Sequence, residues 1–497
     1  MHHTDHIIPD QPRPLPEGPL YFVGVGGAGM SAIAQVLAER GGRVLGADPG
    51  ISPAVRARLE KAGVTVFTRH DATNLGDAVA VVVSDAIPKS NPEVEAARER
   101  GLPIIRRPEA LGALMAEGRG IAIAGTHGKT TTTGMVASIL MAAGLDPTIL
   151  IGGDLPLIGG NARAGKKGGI VLAESCEAYD GFLYLHPEIA VVLNIEADHL
   201  DYHGTEEHVF QSFQRFIRQV KPGGVAAVSR DDPPAYETVN AAIPDSGDVR
   251  FDTFGVEGAS ISAKDLSLDG VRPVFTLTKD HTVFSNTASV PGENAEDYED
   301  YPNTPLARVV LGVPGRHNVH NALAAACVAL HLGIAAEHIV AGLESFTGTG
   351  RRFERLGETN GVLVVDDYAH HPTEIRATLA AARSAYPDRR IVAVFQPHLY
   401  SRTRDNMDAF AEALTAADVV YLTDIYKARE EPIPGVTSEV LAERTRQAAK
   451  PGLAVHYVPD KHDLPARLAE AVRPGDIVLT LGAGDIRAAG EGLLRGM

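Results

Sequence analysis

Three times along the chain, short runs of β-branched and apolar residues alternate with stretches of helical spacing, and this rhythm limits the fold more than any other feature. Strand-length runs separated by helix-length ones predict parallel sheets covered by helices. The first round holds "YFVGV", "RVLGAD", "VTVF" and "AVAVVVSDAI". The second opens at "GIAIAGTHGKT" and continues through "GIVLAES" and "EIAVVLNIEADH". The third runs from "VLVVDDYAHHPTEI" through "RIVAVFQPHLYSRT", "DVVYLTDIY", "AVHYV" and "DIVLTLGAGDI". The expectation is an α/β chain of three consecutive α/β domains, over 19–117, 118–348 and 349–497, behind a polar tail at 1–18. The stretch "SFTGTGRRFERLG" reads as the last linker, and the acidic segment 285–302 as a solvated insertion.

At 497 residues the chain is too long for one ordinary core. Its formal charge of −17 argues against a nucleic-acid partner, because neutralising phosphates needs a concentrated Lys/Arg face. Two distant cysteines, Cys176 and Cys327, and no signal-like or membrane-length apolar run point to a cytoplasmic enzyme without a membrane partner, monomeric or homodimeric.

In open α/β sheets ligands sit at the C-terminal ends of strands, so the polar clusters there carry the functional reading. In "GVGGAGMSAIA", glycines between a strand and a helix let backbone approach a pyrophosphate, with Asp48 spaced to hold a ribose. A dinucleotide, a UDP-sugar and an empty turn all fit that cluster. "GTHGKTTTT" is more specific. Lys129 offers a cation to phosphates, Thr130 a hydroxyl to Mg2+, and Gly125, Gly128 and the helix amides can wrap the phosphates. The usual glycine five residues before the Gly-Lys pair is missing, since Ile123 lies in the strand pattern.

The next strand ends supply hard oxygens for that ion: Glu174 and Glu177, then Asn194, Glu196 and Asp198, with His199 as a nitrogen donor. Arg316, His317, Asn318 and Asn321 open an apolar helix, where they either contact a ligand or cap the helix. In the third round Asp366 and Asp367 end a buried strand; unpaired carboxylates there are costly, so both should reach solvent or a ligand. His370, His371, His398, Arg402 and Arg404 follow at neighbouring strand ends.

Taken in order, "GVGGAGMSAIA", "GTHGKTTTT", "NIEADHLDYH", "GRHNVHNALAA", "GTGRRFERLG", "DDYAHHPTE", "FQPHLYSRTRD", "IYKAREEPIPGV" and "LGAGDI" resemble the Mur ligase family over nearly the whole chain. The resemblance implies a Rossmann-like UDP-sugar-binding domain, a central P-loop ATPase and a Rossmann-like C-terminal domain for the amino acid. It also implies the shorter "GTHGKT" loop, and ATP-dependent joining of L-alanine to UDP-N-acetylmuramate through an acyl phosphate. Carried over residue by residue, Thr130, Glu174 and His199 hold Mg2+. Gly125, Thr126, His127, Gly128, Lys129, Thr130, Thr131, His317, Asn318, Asn321, Arg352 and Asp367 contact ATP. Lys129, Glu174, His199, His370 and Arg402 serve the chemistry, with His370 and Arg402 near the amino acid or the acyl carboxylate. Gly26, Gly27, Ala28, Gly29, Met30, Ser84 and Arg106 take the UDP end.

Two departures stand out. No lysine lies between His199 and Lys221 to be carbamylated, and Leu399 stands where some relatives have arginine. The competing readings are a related ligase for another amino acid or a peptide, a nicotinamide oxidoreductase resting on "GVGGAG" alone, and a non-catalytic nucleotide-binding regulator.

Overall fold

The computed structural model describes residues 11–197, 200–280, 304–428 and 430–496. Among them are three sheets. The first is built from β1 (Leu20–Val23), β2 (Val44–Ala47), β3 (Thr65–Phe67), β4 (Ala80–Val83) and β5 (Ile104–Arg106). Its order is β3-β2-β1-β4-β5 and its pairings are parallel. The order reverses between β1 and β4, where the doubly wound plan opens a crevice beyond the strand ends.

The second sheet takes β6 (Arg119–Ala124), β7 (Thr148–Leu155), β8 (Gly160–Arg163), β9 (Ile170–Glu174), β10 (Ile189–Val192), β11 (Val225–Ser229), β12 (Arg250–Phe254), β13 (Ile261–Ser267), β14 (Val274–Lys279) and β15 (Thr304–Val310). Its order is β15-β14-β13-β12-β11-β10-β6-β9-β7-β8. β6 lies in the interior between β9 and β10, both parallel to it, so its polar C-terminal end is flanked by two further strand ends. Such a strand is buried on both faces and reads as continuous apolar sequence, as "GIAIA" does from Gly120 to Ala124.

The third sheet contains β16 (Glu354–Thr359), β17 (Val362–Asp367), β18 (Arg390–Phe395), β19 (Val419–Leu422), β20 (Ala454–Tyr457) and β21 (Asp476–Leu481), in the order β16-β17-β21-β18-β19-β20. β16 is antiparallel to β17. Alternate residues serve opposite faces: Leu363, Val365, Ile391 and Phe395 pack into one core, and Val362, Val364, Val392 and Val394 into another.

The chain divides into two compact units. One comprises the chain through Asp265 together with Phe275–Val309 and His320–Phe346; the other comprises Leu266–Val274, Val310–Val319 and Thr347 onward. The first unit holds the five-stranded sheet and nearly all of the ten-stranded one around a shared core containing Phe22, Ile33, Leu114, Phe182, Phe213 and Phe216.

Candidate active site

β6 ends at Ala124 and delivers the chain into a tight loop. Ile123 is fully buried and paired in register with Glu174, so the position of the missing glycine is strand interior. Gly125 takes φ +134°, and a Cβ there would stand 3.0 Å from Leu193 Cβ and 3.1 Å from Asn194 N. Gly128 takes φ +83°, and a Cβ would stand 2.6 Å from Asn321 Oδ1. These two glycines are therefore required by backbone conformation and by space. Asn194 fixes the loop from β10: its Oδ1 accepts from His127 N (2.7 Å) and its Nδ2 donates to His127 O (3.0 Å). Thr126 Oγ1 accepts from Glu196 N at 2.9 Å. Asn194, expected among the metal oxygens, thus uses its amide to shape the loop instead.

The helix Lys129–Ala142 follows with no side chain capping its start. Its first amides are left for an anion, which the positive end of the helix dipole favours. Lys129 Nζ donates to Thr126 O (2.9 Å) and reaches Glu177 Oε2 at 3.0 Å. Burial opposes the ammonium charge, but Glu177, Cys176 and Glu174 outweigh it and raise the pKa, keeping Lys129 protonated. Thr130 Oγ1 donates to Glu174 Oε2 (2.9 Å), and Gly152 N donates to the same oxygen (2.7 Å). A hydroxyl and a carboxylate side by side beneath a phosphate loop are the hard donors that Mg2+ takes alongside substrate phosphates. Asp198 and His199 lie outside the described residues.

In the same unit, β1 runs into the first glycine cluster. Asp48 Oδ2 accepts from Gly26 N (3.0 Å) and Oδ1 from Gly50 N (2.8 Å), so the carboxylate expected to hold a ribose also ties the loop. Gly27 precedes the helix Ala28–Glu39, in which Met30 is buried. Gly29 is crowded by Arg107, whose Cδ would be 3.1 Å from an added Cβ. Ala28 O accepts from Asn161 Nδ2 (2.8 Å), an anchor from β8. Ser84 and Arg106 stand at the ends of β4 and β5. Arg106 donates to Asp85 through Nε (3.0 Å) and Nη2 (2.9 Å) and to Tyr184 OH (2.9 Å). Burial lowers its pKa, yet Asp85 overrides this and keeps the guanidinium charged.

The helix Arg316–His331 carries His317, Asn318 and Asn321 in its first two turns. Asn318 Nδ2 donates to Pro314 O at 2.6 Å, tying the helix start to the preceding turn. Asn321 Oδ1 stands against Gly128, as above, which brings it to the phosphate loop.

In the second unit the turn before β16 places Arg351 (φ +58°) and Phe353 (φ +49°) in the left-handed region. Asp367 holds this turn, accepting from Phe353 N and Ala369 N at 2.8 Å each. Sequence reasoning expected both carboxylates to reach solvent or a ligand; both are instead buried from solvent and held by hydrogen bonds within the chain. Asp366 accepts from Thr480 Oγ1 (2.6 Å) and Arg351 Nε (3.1 Å). Burial raises Asp367 to about 6, against the opposing pull of Arg352. Arg352 lies over the Tyr368 ring and reaches Glu374 at 3.3 Å.

Glu374 also accepts from His370 N (2.9 Å) and His371 N (3.2 Å), fixing the histidine doublet at the start of the helix Pro372–Ala385. The His370 and His398 rings lie 6.1 Å apart, and His398 stacks on Tyr426 at 5.7 Å. Arg402 follows in the helix Tyr400–Asp405, entered through Leu399 at φ +70°. Arg404 is an exposed partner of Asp405.

Arg107, Asn161, Glu374 and Tyr426 were not singled out from sequence. Arg107 had a signal in the doublet "RRP" at a strand end, and Glu374 had one as the third residue of a helix capping pattern after His371; Asn161 and Tyr426 act through contacts between segments farther apart in the chain, which no local pattern encodes.

Residues 19–119 match the Mur ligase family, catalytic domain; residues 123–329 the Mur ligase middle domain; and residues 351–484 the Mur ligase, glutamate ligase domain. The chain is 46% identical to a UDP-N-acetylmuramate–L-alanine ligase of Trichlorobacter lovleyi, covering 96% of this chain and 98% of that one. It is 45% identical to a protein of the same description from Rubrobacter xylanophilus, covering 96% and 99%. Among solved structures it is similar to the UDP-N-acetylmuramate-alanine ligase MurC of Thermotoga maritima, with a TM-score of 0.77 at 27% identity over 96% of this chain and 98% of that one.

Proposed function

Because the chain belongs to the Mur ligase family, we propose that its sites serve the ATP-dependent joining of L-alanine to the carboxylate of UDP-N-acetylmuramate in peptidoglycan precursor synthesis. The observation that carries the chemistry is the grouping of Lys129 and Thr130, after β6, with Glu174 at the end of the neighbouring β9, around a loop shaped by Gly125 and Gly128. Hydroxide leaves a carboxylate poorly, whereas phosphate leaves readily. Transfer of the γ-phosphoryl group to the carboxylate therefore makes an acyl phosphate that the amine of L-alanine attacks. The tetrahedral adduct collapses with release of phosphate, and the amine's surplus proton passes to solvent or a nearby base.

The loop amides of Gly125, Thr126, His127, Gly128, Lys129, Thr130 and Thr131 cradle the ATP phosphates in this reading. Lys129 exchanges Glu177 for phosphate oxygens and neutralises charge during transfer. His317, Asn318, Asn321, Arg352 and Asp367 contribute the remaining nucleotide contacts. Thr130, Glu174 and His199 would hold Mg2+, which when bound neutralises phosphate charge. His370 and Arg402 are assigned to the amino acid or the acyl carboxylate; an arginine fork suits either anion. Gly26, Gly27, Ala28, Gly29, Met30, Ser84 and Arg106 are assigned to the UDP end. We place the domain boundaries near 118 and 348 and the enzyme in the cytoplasm; no described helix is long and apolar enough to cross a membrane.

Phosphate release with ATP, UDP-N-acetylmuramate and L-alanine tests the assignment of Lys129. Lys129→Ala is expected to abolish release while UDP-N-acetylmuramate still binds. Retained turnover would overturn the role given to the loop.

A further inference from the structure

We propose that Asp252, Cys327 and His331 form a second metal site, selective for a thiophilic divalent cation of the zinc class and separate from the Mg2+ site. Cys327 and His331 are four residues apart on the helix Arg316–His331 and so share one face. Asp252 approaches that face from β12. One ligand atom from each residue lies within 4.8 Å of the other two. Asp252 Oδ2 and His331 Nε2 stand 2.9 Å apart.

A thiolate, an imidazole and a carboxylate make the mixed soft and borderline set that takes zinc, whereas Mg2+ is passed over because it requires oxygen. Thr253 N donates to Asp252 Oδ1 (2.8 Å), leaving Oδ2 turned toward His331. This is the kind of outer hydrogen bond that orients a metal ligand. Cys327 is fully buried, while the Asp252 and His331 side chains keep 13% and 17% exposure. An ion therefore has an entry side, and a water can complete four-coordination.

The distance from the nucleotide residues is set by the helix. His331 is ten residues beyond Asn321, about 15 Å at 1.5 Å per residue. Bound metal would fasten the last turn of this helix to β12 while its first turns serve the nucleotide.

Binding forms metal bonds to Sγ, a ring nitrogen and Oδ2. Burial and Asp252 hold the Cys327 thiol well above its usual range, with Lys279 opposing. The thiol therefore carries a proton that must leave for solvent as the metal–sulfur bond forms. The Nε2 proton that the imidazole donates to Asp252 moves by way of solvent to Nδ1 as the metal takes Nε2, so the ring stays neutral.

Co2+ is the probe, added to the full-length protein without nucleotide. One equivalent is expected to give a near-ultraviolet thiolate-to-cobalt charge-transfer band that Zn2+ removes. The band should persist in Cys176→Ser and vanish in Cys327→Ser. Affinity should fall by at least about ten-fold in His331→Gln, the low end of what loss of even an orienting partner of a ligand costs. Absence of the band in the unmodified protein, or its loss in Cys176→Ser but not in Cys327→Ser, would overturn the site. Zn2+-dependent proton release should be greater by one proton per bound ion in the unmodified protein than in Cys327→Ser; equal release from the two at saturating Zn2+ would contradict thiolate ligation.

Discussion

At the scale of single residues, conformation explains what composition leaves obscure. Gly128 combines φ +83° with an Asn321 oxygen where a Cβ would stand. Gly128→Ala should cost roughly 1–2 kcal/mol for the left-handed backbone alone. Displacing the loop against Asn321 should also raise KM for ATP. A denaturation curve and a KM measurement check the two effects separately; unchanged values in both would show that the loop tolerates a side chain.

Asp367 gives a prediction in pH. Its folded pKa lies near 6, above the ordinary 3.8, so over that window the folded chain keeps a proton the unfolded chain has released. Stability contributed by this group therefore falls as pH rises from about 4 to about 6. Asp367→Asn should gain stability relative to the parent across the same window. Parallel melting curves at several pH values test this, and a constant difference would contradict it.

At the scale of elements, strand ends do the positioning, and some of their residues work on backbone rather than on ligands. Asn194 at the end of β10 holds both backbone groups of His127. Asp366 at the end of β17 is buried between Thr480 and Arg351 and anchors the turn that carries Arg352. Asp366→Ala should destabilise the protein by about 3 kcal/mol, the low end for breaking a buried pair, because Arg351 remains a quarter exposed. Urea unfolding measures this, and a change below experimental error would mean the pair is dispensable.

Sequence spacing identified "DD" as exceptional because two adjacent carboxylates at a buried strand end demand partners. It could not name those partners. Arg351 and Thr480 are 15 and 114 residues away from Asp366, and contacts of that kind leave no local period. The phosphate loop was legible for the opposite reason: Gly125, Gly128, Lys129 and Thr130 are contiguous, and their chemistry is local.

At the scale of the whole molecule, the three rounds of strand and helix became three sheets, since buried parallel strands announce themselves as unbroken apolar runs. Less visible was the antiparallel edge strand β16, whose "ERLGET" lacks such a run. The shared core joining the first two sheets into one unit was also hidden, because packing between elements carries no signature in either segment alone. In the candidate site, the residues assigned to substrate stand out by chemical type, while the anchoring of the first glycine cluster by Asn161 emerges only from geometry.

The central claim is that ATP is used to activate a carboxylate for attack by L-alanine. A single-turnover reaction with UDP-N-acetylmuramate carrying heavy oxygen in its carboxylate tests this most directly, with the released phosphate read by mass. The acyl-phosphate route predicts one heavy oxygen in each phosphate and formation of the alanyl amide. Unlabelled phosphate accompanying the same amide would contradict it.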